Sequence, residues 1–170
     1  MDPVTIFTGS VPPVPPACQA DQLSFALARD LGSLMQQPGA YFSFTNTSTT
    51  TCSLYGYPGF ELVSTSGQLI PLTATRGSSY QIIDPDSQLV TLNPDMVAYF
   101  GFGWVDVNQP TGTTSGCETA AGALAIPPGT TQQLSTVAHL SSLVCPSNGV
   151  FRGQITAVAP GPAFTPSSPY

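Results

Sequence analysis

A single histidine, His139, is the only side chain whose ordinary pKa suits a general base near neutral pH. Any Ser-His-Asp or Cys-His arrangement would therefore have to use it. His139 lies in the strand-like segment TVAHLSS, and no GxSxG nucleophile motif occurs in the sequence. We interpret His139 as a surface or structural strand histidine and predict that the protein is not an enzyme. A hydrolase that uses His139 is the least favoured alternative.

The carboxylates give little support for metal binding or acid–base catalysis. Asp84 and Asp86 in IDPDSQ resemble a fragment of a calcium loop, but no further ligands cluster around them. Asp followed by Pro also forms good turns, and we favour a turn for this pair and for Asp95 in NPDM. A glycosidase needs two carboxylates that face each other. Asp106 and Glu118 are candidates for such a pair only in the sense that any two acidic residues are. No phosphate loop, dinucleotide fingerprint or metal cluster occurs, so we predict no metal and no cofactor.

The four cysteines predict two disulfides. Cys18, Cys52, Cys117 and Cys145 are widely spaced, without a CxxC or Cys/His pattern, which makes zinc binding a weak interpretation. An even count in a lysine-free chain indicates an oxidising location, with buried free thiols as the alternative. Three pairings are possible, and we prefer the sequential one, Cys18–Cys52 with Cys117–Cys145. Each disulfide would close a loop of about 30 residues and stabilise the fold by roughly 3–4 kcal/mol.

The aromatic side chains suggest either a sugar-stacking platform or a packed core. The platform would use five residues: Tyr41, Tyr55, Tyr57, Tyr99 and Trp104. We favour the core for Trp104, since a strand tryptophan is commonly buried in β-sandwiches. Tyr55 and Tyr57 flank a turn glycine and are the better candidates for contact with a partner. Asn46 begins an NTS glycosylation sequon, which matters only in a host with that pathway.

Charge excludes two classes of partner. Only 7% of the residues are charged, and there is no lysine. The chain has three arginines and nine acidic residues, which gives a net charge of −6. Binding to nucleic acid or to an anionic membrane requires basic side chains, so neither is expected. No apolar run approaches the length of a membrane span.

Short strands separated by turns dominate the middle of the chain and predict an antiparallel β-sandwich of about eight strands, with a closed barrel as the alternative. Phe42 and Phe44 share one strand face, as do Ala98, Phe100, Phe102 and Trp104. Residues 30–37 are the one candidate for a helical turn. The predicted strand segments are 23–28, 40–46, 60–65, 68–74, 80–84, 88–95, 96–107, 123–129, 133–140 and 150–158.

Proline-rich segments flank this middle region on both sides. We predict an arm over residues 1–16, a β-sandwich domain over 17–158, and a tail over 159–170. Such arms could dock on neighbouring protein subunits. The first ten residues contain neither a basic nor an apolar segment of the signal-peptide type.

Five segments together resemble an uncharacterised domain family of exported actinobacterial proteins and lipoproteins. They are ACQADQL (17–23), FTNTSTTTCSLYGYPGFELV (44–63), TLNPDMVAYFGFGWVD (91–106), SGCETAAGALAIPPG (115–129) and LVCPSNGVFRGQITAV (143–158). The resemblance covers about residues 17–158, and the block with FTNTS, the second cysteine and GYPG is its most specific part. It implies an immunoglobulin-like sandwich with disulfides in an extracellular setting, and it implies no catalytic residue.

Two functions follow as expectations, and we favour the first. The first is a structural or adhesive component of an actinobacterial phage virion, such as a capsid decoration or minor tail protein, with arms docked on neighbouring subunits. The second is an exported cell-envelope module that binds a surface glycan, lipid or protein. Both place the protein outside the cytoplasm.

Overall fold

The computed structural model describes residues 13–170, which form an all-β, sandwich-like fold with one 3₁₀ turn at Ala20–Gln22. The predicted helical turn at residues 30–37 is wrong, because β1 continues through Asp30 to Gly32 before the chain turns. The twelve strands of this part of the chain are β1 (Leu23–Gly32), β2 (Gly39–Asn46), β3 (Cys52–Tyr55), β4 (Gly59–Ser64), β5 (Leu69–Ile70), β6 (Leu72–Arg76), β7 (Leu89–Leu92), β8 (Val97–Gly103), β9 (Ala120–Ile126), β10 (Leu134–Val137), β11 (Pro146–Ser147) and β12 (Val150–Ile155).

The strands form three sheets. The six-stranded sheet has the order β1-β2-β8-β12-β11, with β6 also paired to β12. The four-stranded sheet has the order β10-β9-β4-β5, and β3 and β7 form a separate ribbon. Every pairing between these strands is antiparallel except β12 with β6, so the antiparallel prediction holds for all but one pair.

A cluster of phenylalanines joins the six-stranded sheet to the four-stranded sheet. Phe42 of β2 lies directly opposite Phe100 of β8, and their ring centroids are 5.7 Å apart. Phe60 of β4 reaches across from the other sheet, with its ring centroid 4.9 Å from that of Phe42 and 4.8 Å from that of Phe102. Trp104 is also buried and stacks on Phe102. The predicted inward face of β2 and β8 and the core position of Trp104 are confirmed.

The outer face of β2 and β8 is covered by the chain itself. Residues 78–84 cross this face at Gly101 and Gly103, where the strand carries no side chains. A methyl group added at Gly101 would lie 2.7 Å from Ile82, and one at Gly103 would lie 2.4 Å from Ser79. The strand predicted at 80–84 is therefore wrong: Ile82 packs down on the sheet, and the buried amide of Gln81 donates to the Gly32 and Gln37 carbonyls.

The C-terminal segment, residues 159–170, lies on the same covered face. The N–H of Ile83 donates to the carbonyl of Ala163 at 2.9 Å. The Tyr41 hydroxyl donates to that carbonyl at 2.8 Å and accepts from the Ala163 N–H at 2.9 Å. The Arg29 guanidinium stacks 4.1 Å from the ring centroid of Tyr170. These contacts all join the segment to its own domain.

The described part of the proline-rich N-terminal arm lies beside β3. The Ser53 N–H donates to the Pro16 carbonyl at 2.9 Å, and the Ser53 hydroxyl donates to the Pro15 carbonyl at 2.8 Å. Residues 1–12 of the predicted arm lie outside the described residues.

The two main sheets approach each other along both edges. On one edge, β5 pairs with β4 and β6 pairs with β12, and only Pro71 separates β5 from β6. The single strand predicted at 68–74 is therefore two strands in different sheets, since proline has no N–H for the ladder. On the other edge, β1 lies beside β10, and the carboxylate of Asp30 accepts a hydrogen bond from the Ser141 N–H at 2.7 Å.

Both predicted disulfides are confirmed. Cys18 bonds to Cys52 and Cys117 bonds to Cys145, which is the sequential pairing. The first disulfide ties the chain before β1 to the start of β3, and both of its cysteines are fully buried. The second ties the segment before β9 to the segment before β11.

We expect the buried disulfide to matter to stability through the loop it closes. A Cys18→Ala/Cys52→Ala variant should lose roughly 3–4 kcal/mol of unfolding free energy, since the bond spans 34 residues. Urea unfolding followed by tryptophan fluorescence would measure this loss. Mass spectrometry of the wild-type protein should show a gain of about 4 Da on full reduction, two hydrogens for each disulfide. An unchanged mass would contradict both pairings.

The glycine-lined face gives a second stability prediction. Gly101→Ala should lower the unfolding free energy by about 1–3 kcal/mol, because its methyl group would force Ile82 out of a packed site. Gly161→Ala is the matched control, since nothing lies within 4 Å of the added atom. Ile82→Ala removes both of its side-chain atoms that the new methyl would meet, so it should cost less stability in the Gly101→Ala background than in the wild type. Equal urea midpoints for the two alanine variants would contradict the close packing.

Candidate binding surfaces

His139 is exposed and follows β10. The carboxylate of Asp30 accepts hydrogen bonds from the backbone N–H groups of Gly32 and Ser141, and none from the imidazole. Within the described residues, the structure therefore brings no hydrogen-bonded base and nucleophile together at His139.

Asp84 organises a turn. Its Oδ1 accepts hydrogen bonds from the N–H groups of Asp86 at 3.1 Å and Ala157 at 3.0 Å, and its Oδ2 accepts one from Tyr57. Asp86 has a φ of 61°, in the left-handed region typical of turns. Both carboxylate oxygens of Asp84 are thus used inside the protein, as the turn interpretation requires. Residues 13–170 contain no group of three or more His, Cys, Asp or Glu side chains arranged to hold a metal ion.

The other acids lie in separate local structures. Asp95 has a φ of 70°, and its N–H donates to the Asn46 carbonyl at 2.7 Å, which confirms the predicted turn after β7. Asp106 follows β8 and donates its N–H to the Gln36 carbonyl at 3.2 Å. Glu118 is exposed and forms an isolated β-bridge with Val144, beside the second disulfide.

Asn46, the third residue of the FTNTS segment, is fully buried. Its side-chain nitrogen donates to the carbonyls of Thr50 at 2.8 Å and Leu92 at 2.9 Å. Its side-chain oxygen accepts from the N–H of Ser48 at 3.0 Å and from the Ser48 hydroxyl at 2.7 Å. The side chain holds the loop after β2 against β7, so the sequon is not accessible for glycosylation in the folded protein.

Tyr57 is half-buried and links two segments of the chain. Its hydroxyl donates to Asp84 at 2.5 Å, and the Arg76 guanidinium lies 4.7 Å from its ring centroid. The hydrogen bond to Asp84, assisted by burial and by the negative charges of Asp84 and Asp86, raises the pKa of Tyr57 to about 12, while Arg76 opposes the shift. The hydroxyl of Tyr57 is therefore used within the fold.

Tyr55 differs from Tyr57 in having an exposed ring. It lies at the end of β3 with 61% of its surface exposed, directly opposite Leu89 of β7, which is 46% exposed. We call this cross-strand pair the Tyr55–Leu89 patch. The sequence places Tyr55 and Tyr57 equally close to a turn, and the structure leaves only Tyr55 largely uncovered.

A second exposed apolar surface lies on the outside of the four-stranded sheet. It is not among the sites predicted from the sequence. Residues that face each other across neighbouring strands share a face of a sheet. The first cross-strand row is Leu69, Val63, Gly122 and Val137, and Val137 is 70% exposed. The next rows are Glu61, Leu124 and Ser135, then Gly59 and Ile126. We call these three rows the outer apolar face.

Two depressions lie on the outer apolar face where glycines replace side chains. One, of about 450 Å³, lies over Gly122 between Val63, Leu124 and Val137. The other, of about 140 Å³, lies over Gly59 and is bordered by Glu61. Apolar residues or glycine occupy both alternating sets of positions in GALAI (122–126), which is the sequence signal for this face, but the same pattern also fits a strand buried on both faces.

Comparison with known families matches residues 18–159 to a domain described as Domain of unknown function (DUF4232). The chain belongs to the DUF4232 family. The expectation of an uncharacterised domain family is thereby confirmed. No curated protein and no solved structure matches the chain.

The DUF4232 match encloses the features that hold the fold together. It begins at Cys18, the first disulfide cysteine, and ends at Ala159, which forms a β-bridge with Tyr99 of β8. All twelve strands lie inside it, as do both disulfides. Among residues 13–170, no helix is long and apolar enough to cross a membrane.

The Tyr57–Asp84 pair predicts a pH effect with a definite sign. Because the folded pKa of Tyr57 is raised above the ordinary value of 10.0, its contribution to stability is fully present below pH 10 and is lost as the pH rises towards 12. Asp84→Asn keeps an oxygen acceptor but removes the charge, so the pKa of Tyr57 should fall. Absorbance titration at 295 nm would measure it, with Tyr57→Phe to assign the transition and Asp95→Asn as the control. Identical curves for wild type and Asp84→Asn would contradict the pairing.

Proposed function

We propose that this DUF4232 protein is a non-catalytic binding module of the actinobacterial cell envelope or its exterior. The observation that carries the proposal is the pair of disulfides, which join all four cysteines. Disulfides persist in oxidising environments and are rare in the cytosol. The resemblance of the sequence to exported actinobacterial proteins supports the same location.

The contacts of the described proline-rich segments, residues 13–16 and 159–170, bear on the choice between this role and that of a virion component. Docking on neighbouring virion subunits would use free proline-rich arms. Residues 159–170 instead contact Tyr41, Ile83 and Arg29 of their own domain, and Pro15 and Pro16 contact β3. These contacts remove part of the support for the phage-virion alternative and favour the envelope module.

The Tyr55–Leu89 patch is our candidate for the contact with an envelope partner. An exposed tyrosine offers a large, rigid contact area with a hydroxyl at its tip, and tyrosine is enriched at binding interfaces. With a net charge of −6 and no lysine, the module is suited to a neutral or cationic partner rather than to an anionic polymer. A neutral cell-surface glycan or a protein fits this chemistry.

Binding to isolated actinobacterial cell walls would test the contact. We expect Tyr55→Ala/Leu89→Ser to reduce the bound fraction roughly tenfold, as truncation of an aromatic anchor commonly does. Thr91→Ala is the matched control, because Thr91 is exposed on β7 two residues from Leu89. Failure of the wild-type protein to bind any envelope fraction would contradict the proposed function. Equal binding by the double variant would remove the patch from it.

Gene neighbourhood gives an independent test of the virion alternative. Neighbouring genes for tail or capsid proteins would favour the virion component, and neighbouring genes for envelope proteins would favour the module proposed here.

A further inference from the structure

The outer apolar face is unusual for the exposed side of a sandwich sheet. A sheet with one face on the core normally alternates apolar residues inward with polar residues outward. On β4 and β9 the residues of the outer rows are instead apolar or glycine in five of six positions, and the exception is Glu61. The other five are Gly59, Val63, Gly122, Leu124 and Ile126. The six-stranded sheet, by contrast, has part of its outer face covered by residues 78–84 and 159–170.

The charge of Glu61 is not balanced on its own sheet. Arg29 lies on β1, Arg76 on β6 and Arg152 on β12, so all three arginines of the chain belong to the six-stranded sheet. Arg29 and Arg76 are in addition stacked on the rings of Tyr170 and Tyr57. A carboxylate in the middle of an apolar surface favours an occupant that brings its own cation.

The size of the outer apolar face indicates what kind of occupant fits. The first row spans four strands about 4.8 Å apart, and the three rows extend over a length of four residues, so the footprint is about 14 by 14 Å at its widest, or roughly 200 Å² or less. A stable protein–protein interface buries about 800 Å² on each partner. The face is therefore sized for a peptide segment or a single loop.

A second copy of the chain is a poor occupant. A two-fold dimer would place the same surface on both sides of the interface. It would bring Glu61 towards Glu61 of the partner subunit, with no cation on either face. Burial of two like charges opposes such a dimer.

We propose that the outer apolar face docks a peptide segment or loop of another protein, which places apolar side chains in the depressions over Gly122 and Gly59 and a lysine or arginine against Glu61. This surface uses strands other than those of the Tyr55–Leu89 patch and does not depend on that patch being functional. The two depressions lie four residues apart along β9, about 13 Å in an extended chain, so one segment of a few residues reaches both.

Selection from a displayed library of random 12-residue peptides on the immobilised full chain would test the proposal. Enriched peptides should contain apolar residues flanking one lysine or arginine. The corresponding synthetic peptides should bind Val137→Asp at least about tenfold more weakly than wild type, since Val137 borders the larger depression and is mostly exposed. They should bind Glu61→Gln about threefold to tenfold more weakly, and the difference should shrink in high salt.

Tyr55→Ala/Leu89→Ser is the matched control and should bind the peptides like wild type, which separates this surface from the proposed envelope contact. Circular dichroism would verify that each variant is folded. No enrichment, peptides without a basic residue, or equal binding by Glu61→Gln would overturn the proposal. A concentration-dependent dimer that Val137→Asp abolishes, measured by sedimentation equilibrium, would also overturn it in favour of a second copy.

Discussion

Packing of the phenylalanine rings between the two main sheets is the contact on which the rest of the structure depends. Phe42 and Phe100 come from neighbouring strands of one sheet, and Phe60 comes from the other sheet to meet them. This contact fixes which face of each strand points inward. It therefore also determines which side chains remain outside, including Glu61 between two inward residues of β4. The outer apolar face follows from the alternation that this core imposes on β4 and β9.

Sequence reasoning predicted the features that depend on local periodicity. Alternating aromatic residues in the sequence predict the inward face of β2 and β8. The disulfides could be predicted from an even cysteine count and a choice among three pairings. It failed where a segment is shaped by distant residues. YQIID has a strand-like composition, but it lies flat on the sheet because Gly101 and Gly103, about 20 residues later, leave room for it. The C-terminal segment has a disordered composition, and Tyr41, more than 100 residues away, binds it.

The candidate site was predicted in part, for a similar physical reason. Tyr55 and Tyr57 have the same spacing from Gly56, and nothing in that turn distinguishes them. The difference comes from Asp84, whose carboxylate holds the Tyr57 hydroxyl but lies 27 residues away in sequence. The outer apolar face was missed because β9 is apolar or glycine at every position, a pattern that also fits a strand buried on both faces.

The way the edges of the two main sheets meet bears on the aggregation expected of a chain with so few charges. Many β proteins protect their exposed edge strands with lysines, and this chain has none. Its protection is geometric. At one edge the strand passes from one sheet to the other through Pro71, which offers no N–H to an incoming strand, and at the other edge β1 and β10 lie side by side. A closed β-barrel has no exposed edge strands. This sandwich comes close to that arrangement, because the edges of its two main sheets lie next to each other.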